Sequence, residues 1–202
     1  MAMETPRSER AAEIRKAVTA KYREVAKSPA GHFAYPVGTE GALKLGYDSS
    51  WIELVPQAVA NRFVGVGNPF SVRTPKSGDR ILDAGCGCGF DTFIAASMAG
   101  SGVAVGVDIT AEMLDIARSA SKTFRNCNIE FREASIEQLP FEDDSFDLVI
   151  SNGVLNLIPN KLTAFGEIAR VLRPKGTLIA ADLLVIETIP PEVLASTDAW
   201  ST

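Results

Sequence analysis

The sequence is poor in the residues that build metal sites and disulfide frameworks. It has one histidine, His32, and three cysteines, Cys86, Cys88 and Cys127. An odd number of cysteines argues against a disulfide framework, and a single glycine separates Cys86 from Cys88, which is not the two-residue spacing of a zinc or redox pair. The sequence therefore predicts free thiols and no bound metal, with a reactive or metal-binding role for these cysteines as the less favoured alternative.

The sequence also lacks a surplus of positive charge and any long hydrophobic run. Lys and Arg number 20 against 25 Asp and Glu, so the net charge of -5 gives no electrostatic reason to bind nucleic acid. The longest apolar run, Leu178 to Ile186, is too short to span a bilayer and is interrupted by Asp182. Met1 to Arg10 has no apolar signal segment. We expect a cytoplasmic protein with a small-molecule partner, no membrane and no nucleic acid.

Residues 1–75 are expected to form an N-terminal helix and an entry or lid segment. Ser8 to Ser28 is predicted to be a helix because Ile14, Val18, Tyr22 and Val25 recur at three- and four-residue steps. Packing of this stripe on the domain body is favoured, and a lid over the active site is the alternative. A second helix is predicted from Asp48 to about Asn61, with Asp48 as its N-cap.

Residues 76–202 are expected to form one compact core in which strands and helices alternate. This order is typical of an α/β fold with a doubly wound, mostly parallel sheet and helices on both faces. The predicted strands are Arg80–Ala84, Val103–Asp108, Asn128–Arg132, Leu148–Ser151 and Thr177–Asp182. The predicted helices are Asp91–Ala99, Ala111–Ala120 behind the N-cap Thr110, and Lys161–Leu172. The last of these is expected to have one apolar face, formed by Leu162, Phe165, Ile168, Ala169 and Leu172.

The loop after the first predicted strand carries the strongest functional signal. Gly85, Gly87 and Gly89 fall at every second residue, and such a loop can turn tightly and approach a ligand closely. The helix that follows presents free N–H groups to an anion such as a carboxylate. Dinucleotide-binding folds have a glycine where this chain has Phe90. Asp83, just before the loop, is a candidate to hold an ammonium group.

An acidic residue ends the second predicted strand about twenty residues beyond the glycine loop. Asp108 in this position can accept both hydroxyls of a ribose. Either feature alone is weak, but the glycine loop and Asp108 together, in one strand-loop-helix-strand order, predict a nucleoside-containing ligand. The alternative is an α/β domain whose glycines serve packing only.

From about Ile81 to Asp182 the chain resembles the class I S-adenosylmethionine-dependent methyltransferases, which have a Rossmann-like fold. The resemblance implies S-adenosyl-L-methionine as cofactor, with its methionine end along the glycine loop and its ribose at Asp108. It also implies Ile109 beside the adenine, Ser135 and Ile136 at the edge of the adenine, and Ser151 and Asn152 facing the sulfonium. An acidic residue is frequent near position 135 in that family, and this chain has serine there.

Five short sequence motifs outside the glycine loop resemble those of one group within this class, the arsenite methyltransferases. They are Leu45-Gly-Tyr47, Gly65-Val-Gly-Asn-Pro69, Asp108-Ile-Thr-Ala-Glu-Met113, Ser151-Asn-Gly-Val-Leu-Asn-Leu157 and Arg170-Val-Leu-Arg-Pro174. That family holds arsenic on cysteine thiolates, and two of its cysteine positions are Val66 and Gly153 here. A third cysteine is expected shortly after a tryptophan such as Trp200, close to which this sequence ends. Arsenite binding is therefore not expected, and the space beside Gly153 suggests a different or bulkier acceptor.

The sequence leaves three functions open. The favoured one is a methyltransferase for a small-molecule acceptor, arsenite-methyltransferase-like with an altered acceptor site. A non-catalytic S-adenosylmethionine-binding or interaction protein is the second, because only some twenty residues follow the fifth strand and the usual C-terminal antiparallel strands have no room. This ending is expected to reflect either a shortened chain or one completed by a second copy as a homodimer. A nucleotide-binding oxidoreductase is third. His32 is expected to be structural, and Glu137, Asp143 and Asp144 are expected to form a solvated rim.

Overall fold

The protein folds around a five-stranded sheet in which all strands run parallel. The computed structural model describes residues 5–125 and 127–184. Within these residues the strand order is β3-β2-β1-β4-β5, with β1 in the centre. The strands are β1 Arg80–Ala84, β2 Val103–Asp108, β3 Ile129–Glu133, β4 Phe146–Asn152 and β5 Leu172–Ala181.

The strand register brings the residues that follow β1, β2, β3 and β4 to one edge of the sheet. Ala84 of β1 pairs with Val107 of β2, and Asp108 pairs with Glu133 of β3. Ile81 and Leu82 are completely buried, as expected for a strand covered by helices on both faces. In open parallel sheets this carboxyl edge, at the point where the strand order reverses, is where ligands bind.

Helices cover both faces of the sheet. They are α1 Thr5–Lys27, α2 Gly38–Lys44, α3 Ser49–Leu54, α4 Gln57–Ala60, α5 Phe90–Ala99, α6 Ala111–Ser121 and α7 Lys161–Val171, with short 3-10 turns at Pro69–Ser71 and Leu155–Leu157. Every helix among residues 5–125 and 127–184 is too short or too polar to cross a bilayer.

The predicted α/β architecture is confirmed, and β1 and β2 have the predicted bounds. The predicted helix from Asp48 to Asn61 is two helices, because the backbone leaves the helical region at Val55 and Pro56. Asp48 is the N-cap as predicted, and its side chain accepts a hydrogen bond from the backbone N–H of Ser50. The strand β5 begins earlier than predicted because Leu172 already pairs with Phe146, and the regular ladder resumes at Thr177.

The apolar face predicted for α7 is confirmed at Ile168, which is 1% exposed, and is wrong at Leu162 and Phe165. Leu162 is 89% exposed and Phe165 is 43% exposed, so the sheet does not cover this side of the helix in the described residues. The buried positions are Ala164, Ile168 and Val171. Small and branched residues at these positions let α7 lie close to the sheet.

The helix α1 packs on the body of the protein, which is the arrangement favoured in the sequence prediction. Its residues Ile14, Val18 and Val25 are buried, and it lies against α6. Val25 belongs to the same hydrophobic cluster as Phe93 of α5 and Ile81 of β1. The side of α1 next to this contact faces the carboxyl edge of the sheet, so α1 also forms one wall of the cleft described below.

Candidate functional site

A deep cleft lies at the carboxyl edge of the sheet, roofed by α1. The empty space within it, including its open mouth, is about 1060 Å³. Of the residues predicted for the site, eight line the cleft. These are Asp83, Gly85, Gly87, Asp108, Ile109, Ser135, Ile136 and Asn152. Gly89 and Ser151 do not lie among the lining residues.

The glycine loop is fixed to the neighbouring strand by its backbone. The N–H groups of Gly85 and Cys86 both donate to the carbonyl of Val107, over 2.8 and 2.9 Å. The N–H of Gly87 donates to Asp108 Oδ2 over 2.9 Å. The loop and Asp108 are therefore one rigid unit, which explains in physical terms why the two features occur together.

The three loop glycines have different roles. All three have positive φ, but only Gly87 has open space where a Cβ would project, with no atom within 4 Å. A Cβ on Gly85 would collide with the Val154 side chain, and one on Gly89 would lie 2.7 Å from the Phe131 ring. Gly87 is thus the glycine that leaves room for a ligand, whereas Gly89 leaves room for the packing of β3.

Asp108 is held in place by the groups around it. Besides Gly87, its side chain accepts from the N–H of Thr110 over 2.8 Å. Burial raises the pKa of Asp108, and the hydrogen bonds from Thr110 and Gly87 counter that rise. A carboxylate has four lone-pair directions, so Asp108 retains the capacity to accept further donors from the cleft.

The polar side chains at the end of β4 are engaged with the protein. The Ser151 hydroxyl donates to the carbonyl of Ala84 over 2.9 Å and ties β4 to β1. Asn152 Oδ1 accepts from the N–H groups of Val66 and Gly67, over 2.8 and 3.1 Å. Asn152 lines the cleft, but its amide acts first as an anchor for the segment Gly65–Asn68.

Two buried carboxyl groups lie beneath the glycine loop. Asp83 Oδ2 accepts from the Thr92 hydroxyl over 2.6 Å, and Asp91 accepts from Tyr47 Oη over 2.6 Å and from Asn152 Nδ2 over 3.0 Å. Burial raises the pKa of Asp91 to about 6, and burial together with the charge of Asp91 raises the pKa of Asp83. Both groups line the cleft, so a cation there would relieve their repulsion.

Several cleft residues had no role in the sequence prediction. Asp91, directly after the glycine loop, is one, and Arg15 on α1 is another. The prediction of a solvated rim is wrong for Glu137, whose side chain is 12% exposed and pairs with Arg15 across the cleft. It is right for Asp143 and Asp144, which are exposed.

The cysteines and the histidine contribute little chemistry here. Cys86 and Cys88 are buried thiols without a disulfide. Burial raises the pKa of Cys86 well above its ordinary value and that of Cys88 to about 12, so both are protonated at neutral pH and poor nucleophiles. Cys127 is partly buried. His32 is exposed and does not line the cleft.

The segment Gly65–Asn68 meets the end of β4 beside the cleft, where Gly65 and Gly153 are lining residues. A Cβ on Gly153 would lie 3.3 Å from Val66 Cγ1. The space expected beside Gly153 is therefore partly filled by the Val66 methyl groups. The surface at this point is apolar and carries no thiol.

These features fit a nucleoside-containing ligand with an ammonium group. Open backbone at Gly87, the carboxylate of Asp108 and two buried acids, Asp83 and Asp91, occur along one cleft. They define a Rossmann-like methyltransferase site. A protein-family model described as a methyltransferase domain matches residues 75–201, and the chain belongs to this family.

Within this family the chain is similar to arsenite methyltransferases. It is 38% identical to the arsenite methyltransferase of Halobacterium salinarum over 79% of this chain and 41% of that protein. The structure of an arsenic(III) S-adenosylmethionine methyltransferase from Chlamydomonas reinhardtii superposes with a TM-score of 0.66 at 36% identity, over 72% of this chain and 52% of that one.

A demethylmenaquinone methyltransferase of Lactococcus lactis is 39% identical over 52% of this chain and 42% of that protein. The chain thus spans about half the length of these relatives or less. S-Adenosylmethionine is the cofactor of the class to which the site belongs.

Proposed function

We propose that this chain is the cofactor-binding core of an S-adenosylmethionine-dependent methyltransferase that methylates a small-molecule acceptor. The observation that carries the proposal is the arrangement of the cleft. Gly87 leaves open space at the cleft wall, its N–H is bound to Asp108, and Gly153 faces the same cleft from the end of β4. Cofactor and acceptor sites would then be adjacent, as methyl transfer requires.

Each end of the cofactor has a matching group on the protein. Asp83 and Asp91 would hold the ammonium of the methionine end, because their burial and mutual repulsion favour a cation between them. Asp108 would accept the ribose hydroxyls. Ile109 and Ile136 would lie against the adenine, since both line the cleft where β2 and β3 end.

The protein's part in catalysis is to align the reactants and exclude water. When bound, the cofactor supplies a methyl group that its sulfonium already activates. Val18 and Tyr22 on α1 line the cleft and would limit the access of water to the reactants. Alignment of two reactants accounts for roughly 7–11 kcal/mol of a barrier. A general base is needed only where the acceptor must lose a proton.

The acceptor side differs from what a thiolate-bound metalloid requires. Val66 and Gly153 are neighbours there, and both are apolar. Soft thiolates are the ligands that suit a soft centre such as trivalent arsenic. We infer that the acceptor is an apolar small molecule held by packing. A non-catalytic cofactor-binding protein is the second candidate, because the described residues on this side include no group that would ligate an acceptor.

A methyl-transfer assay separates these functions. The chain is incubated with S-adenosylmethionine and, one at a time, with arsenite or with apolar molecules bearing a hydroxyl, thiol or activated carbon, and S-adenosylhomocysteine is quantified. We expect product with an apolar acceptor and none with arsenite, and Asp108→Asn should lower the product formed at a limiting cofactor concentration by at least about tenfold. Product with arsenite would refute the acceptor proposal, and cofactor binding without product from any acceptor would favour the non-catalytic function.

A further inference from the structure

Tyr22 on α1 is a tyrosine whose hydroxyl no described protein group holds. The chain has three tyrosines, and the hydroxyls of Tyr35 and Tyr47 donate to protein oxygens, over 3.2 Å to the carbonyl of Val64 and over 2.6 Å to Asp91 Oδ1. The Tyr22 hydroxyl makes no hydrogen bond to another described residue, although its side chain is partly buried. A buried tyrosine hydroxyl usually has a partner, so we expect one from outside the protein.

The hydroxyl of Tyr22 is open to the cleft. Tyr22 is a lining residue. Among the described residues, the side-chain atoms that are sealed from solvent without a partner are Glu137 Oε1 and Asn156 Oδ1. The Tyr22 oxygen is not one of them, so a ligand in the cleft can reach it.

Tyr22 lies further along α1 than the point at which this helix meets Glu137. Arg15, Val18 and Tyr22 line the cleft from one face of the helix, at steps of three and four residues. Arg15 pairs with Glu137 over 3.0 Å, and Tyr22 follows two turns later, about 10 Å along the helix axis. The wall at Tyr22 therefore contacts a different part of the cleft contents than the wall at Arg15.

Charges on both sides of the central strands act on Tyr22. Asp108 ends β2 and Asp182 follows β5, and β1 and β4 lie between these strands. Burial raises the pKa of Tyr22, and Tyr35, Asp108 and Asp182 raise it further. Tyr22 thus stands over the ends of β1 and β4, where Gly153 lines the cleft. Its hydroxyl stays protonated at neutral pH and can donate a hydrogen bond.

The surroundings of Tyr22 are apolar and hold its ring in place. The ring lies 6.4 Å from that of Phe33, which in turn lies 5.2 Å from that of Tyr35. Tyr35 is tied to the carbonyl of Val64, which lines the cleft. A molecule at this place meets apolar side chains and, at Tyr22, a hydrogen-bond donor. The two nearby carboxylates disfavour a molecule that is itself an anion.

We propose that Tyr22 donates a hydrogen bond to a neutral oxygen of the methyl acceptor. Among apolar molecules, the site then selects those that carry a carbonyl, ether or hydroxyl oxygen over hydrocarbons of the same shape and over carboxylates. This inference rests on the proposed methyltransferase function and names the class of acceptor that the cleft takes. It makes Tyr22 a specificity-determining residue of the acceptor site.

The test uses three naphthalene probes of similar shape in place of the unidentified acceptor. 2-Acetylnaphthalene carries a neutral carbonyl oxygen, 2-isopropylnaphthalene has a methyl group in place of that oxygen, and 2-naphthoate is an anion. Equilibrium dialysis in the presence of excess S-adenosylhomocysteine measures the affinity of each probe for the wild type, Tyr22→Phe and Tyr35→Phe. Both substitutions remove one hydroxyl and keep the ring, and Tyr35 does not line the cleft.

The affinity ratio of the ketone to the hydrocarbon reports the hydrogen bond. Tyr22→Phe should lower this ratio about three- to tenfold, the size expected for one hydrogen bond between neutral groups. Tyr35→Phe should leave the ratio unchanged. The wild type should bind the ketone more tightly than 2-naphthoate. Thermal unfolding of each variant confirms that it is folded.

Each other outcome contradicts the proposal in a recognisable way. An unchanged ratio in Tyr22→Phe means that the hydroxyl does not bind the acceptor, and an equal fall in Tyr35→Phe means that the aromatic row only shapes the cleft. Tighter binding of 2-naphthoate than of the ketone refutes the selection against anions. If the wild type binds S-adenosylhomocysteine and none of the probes, the acceptor class is wrong while the cofactor site stands. If it does not bind S-adenosylhomocysteine, the proposed function itself fails.

Discussion

The hydroxyl of Tyr47 lies 2.6 Å from Asp91 Oδ1 and joins the N-terminal segment to the start of α5. Asn152 completes the junction, because its Nδ2 donates to Asp91 Oδ2 over 3.0 Å and to the carbonyl of Gly67 over 2.8 Å. The segment Gly65–Asn68, the glycine loop and the end of β4 are therefore held together by one buried network. Networks of this kind fix geometry only while every member is satisfied.

Removal of the Tyr47 hydroxyl should destabilise the protein. Tyr47→Phe keeps the ring, which packs between Phe63 and Phe90, but takes one donor away from the buried Asp91. We expect the free energy of unfolding in urea to fall by about 1–3 kcal/mol. Tyr35→Phe is the matched control, because its hydroxyl makes a longer, half-buried bond of 3.2 Å to the carbonyl of Val64. An equal loss of unfolding free energy in the two variants would show that the hydrogen bond to Asp91 stabilises the protein no more than the half-buried one.

Cofactor affinity should depend on pH through Asp91. Its pKa in the folded protein is about 6, raised chiefly by burial, and an ammonium group binds the ionised form. The affinity for S-adenosylhomocysteine should therefore fall about tenfold from pH 7 to pH 5 and be nearly flat above pH 7. Calorimetry at several pH values measures this. Methylthioadenosine, which has no ammonium group, should show no such fall, and a parallel fall for both ligands would refute the role of Asp91.

The stability of the ligand-free protein should respond to Asp91 in the opposite sense. Because the folded state raises this pKa above its unfolded value near 3.9, Asp91 favours folding below about pH 4, and that contribution is lost as the pH rises through 6. The free energy of unfolding is measured in urea at several pH values for the wild type and for Asp91→Asn. Between pH 4 and 6 it should fall more steeply with rising pH in the wild type than in the variant. A stability difference that stays constant over this range would show that the Asp91 pKa is not raised.

Substitution of Gly87 should chiefly weaken ligand binding, whereas substitution of Gly89 should chiefly lower the stability of the fold. Gly87→Ala adds a methyl group in open space at φ 53, so it should cost about 1–2 kcal/mol of stability yet weaken S-adenosylhomocysteine binding more than tenfold. Gly89→Ala pushes a methyl group against Phe131 at 2.7 Å and should cost about 2–4 kcal/mol of stability. Urea unfolding and calorimetry measure both effects. Normal binding by Gly87→Ala would place the ligand elsewhere.

The parts of the fold that depend on local pattern could be predicted from the sequence. The bounds of β1 and β2 follow from apolar runs that end in a glycine loop and in Asp108. The apolar face of α7 could not be predicted, because the spacing of Leu162 and Phe165 is helical whether or not another element covers them. Burial depends on neighbours that the pattern does not contain.

The parts of the site that depend on distant pairs could not be predicted. Tyr47 is 44 residues from Asp91, and Arg15 is 122 residues from Glu137. In the sequence Glu137 stands near Asp143 and Asp144 and has the same polar character. Only the position of α1 over the cleft separates Glu137 from those exposed acids. A signal that was present but had no role assigned is Asp91, the acidic residue that directly follows the glycine loop.

We propose that the cleft binds S-adenosylmethionine through Asp108. Calorimetric titration of S-adenosylmethionine and S-adenosylhomocysteine into the wild type, Asp108→Asn and the exposed control Asp115→Asn tests it most directly. We predict micromolar binding of both ligands by the wild type and by Asp115→Asn, and a loss of at least about tenfold in Asp108→Asn, since one charged acceptor of the ribose is gone. Unchanged affinity in Asp108→Asn, or no binding by the wild type, would contradict the account.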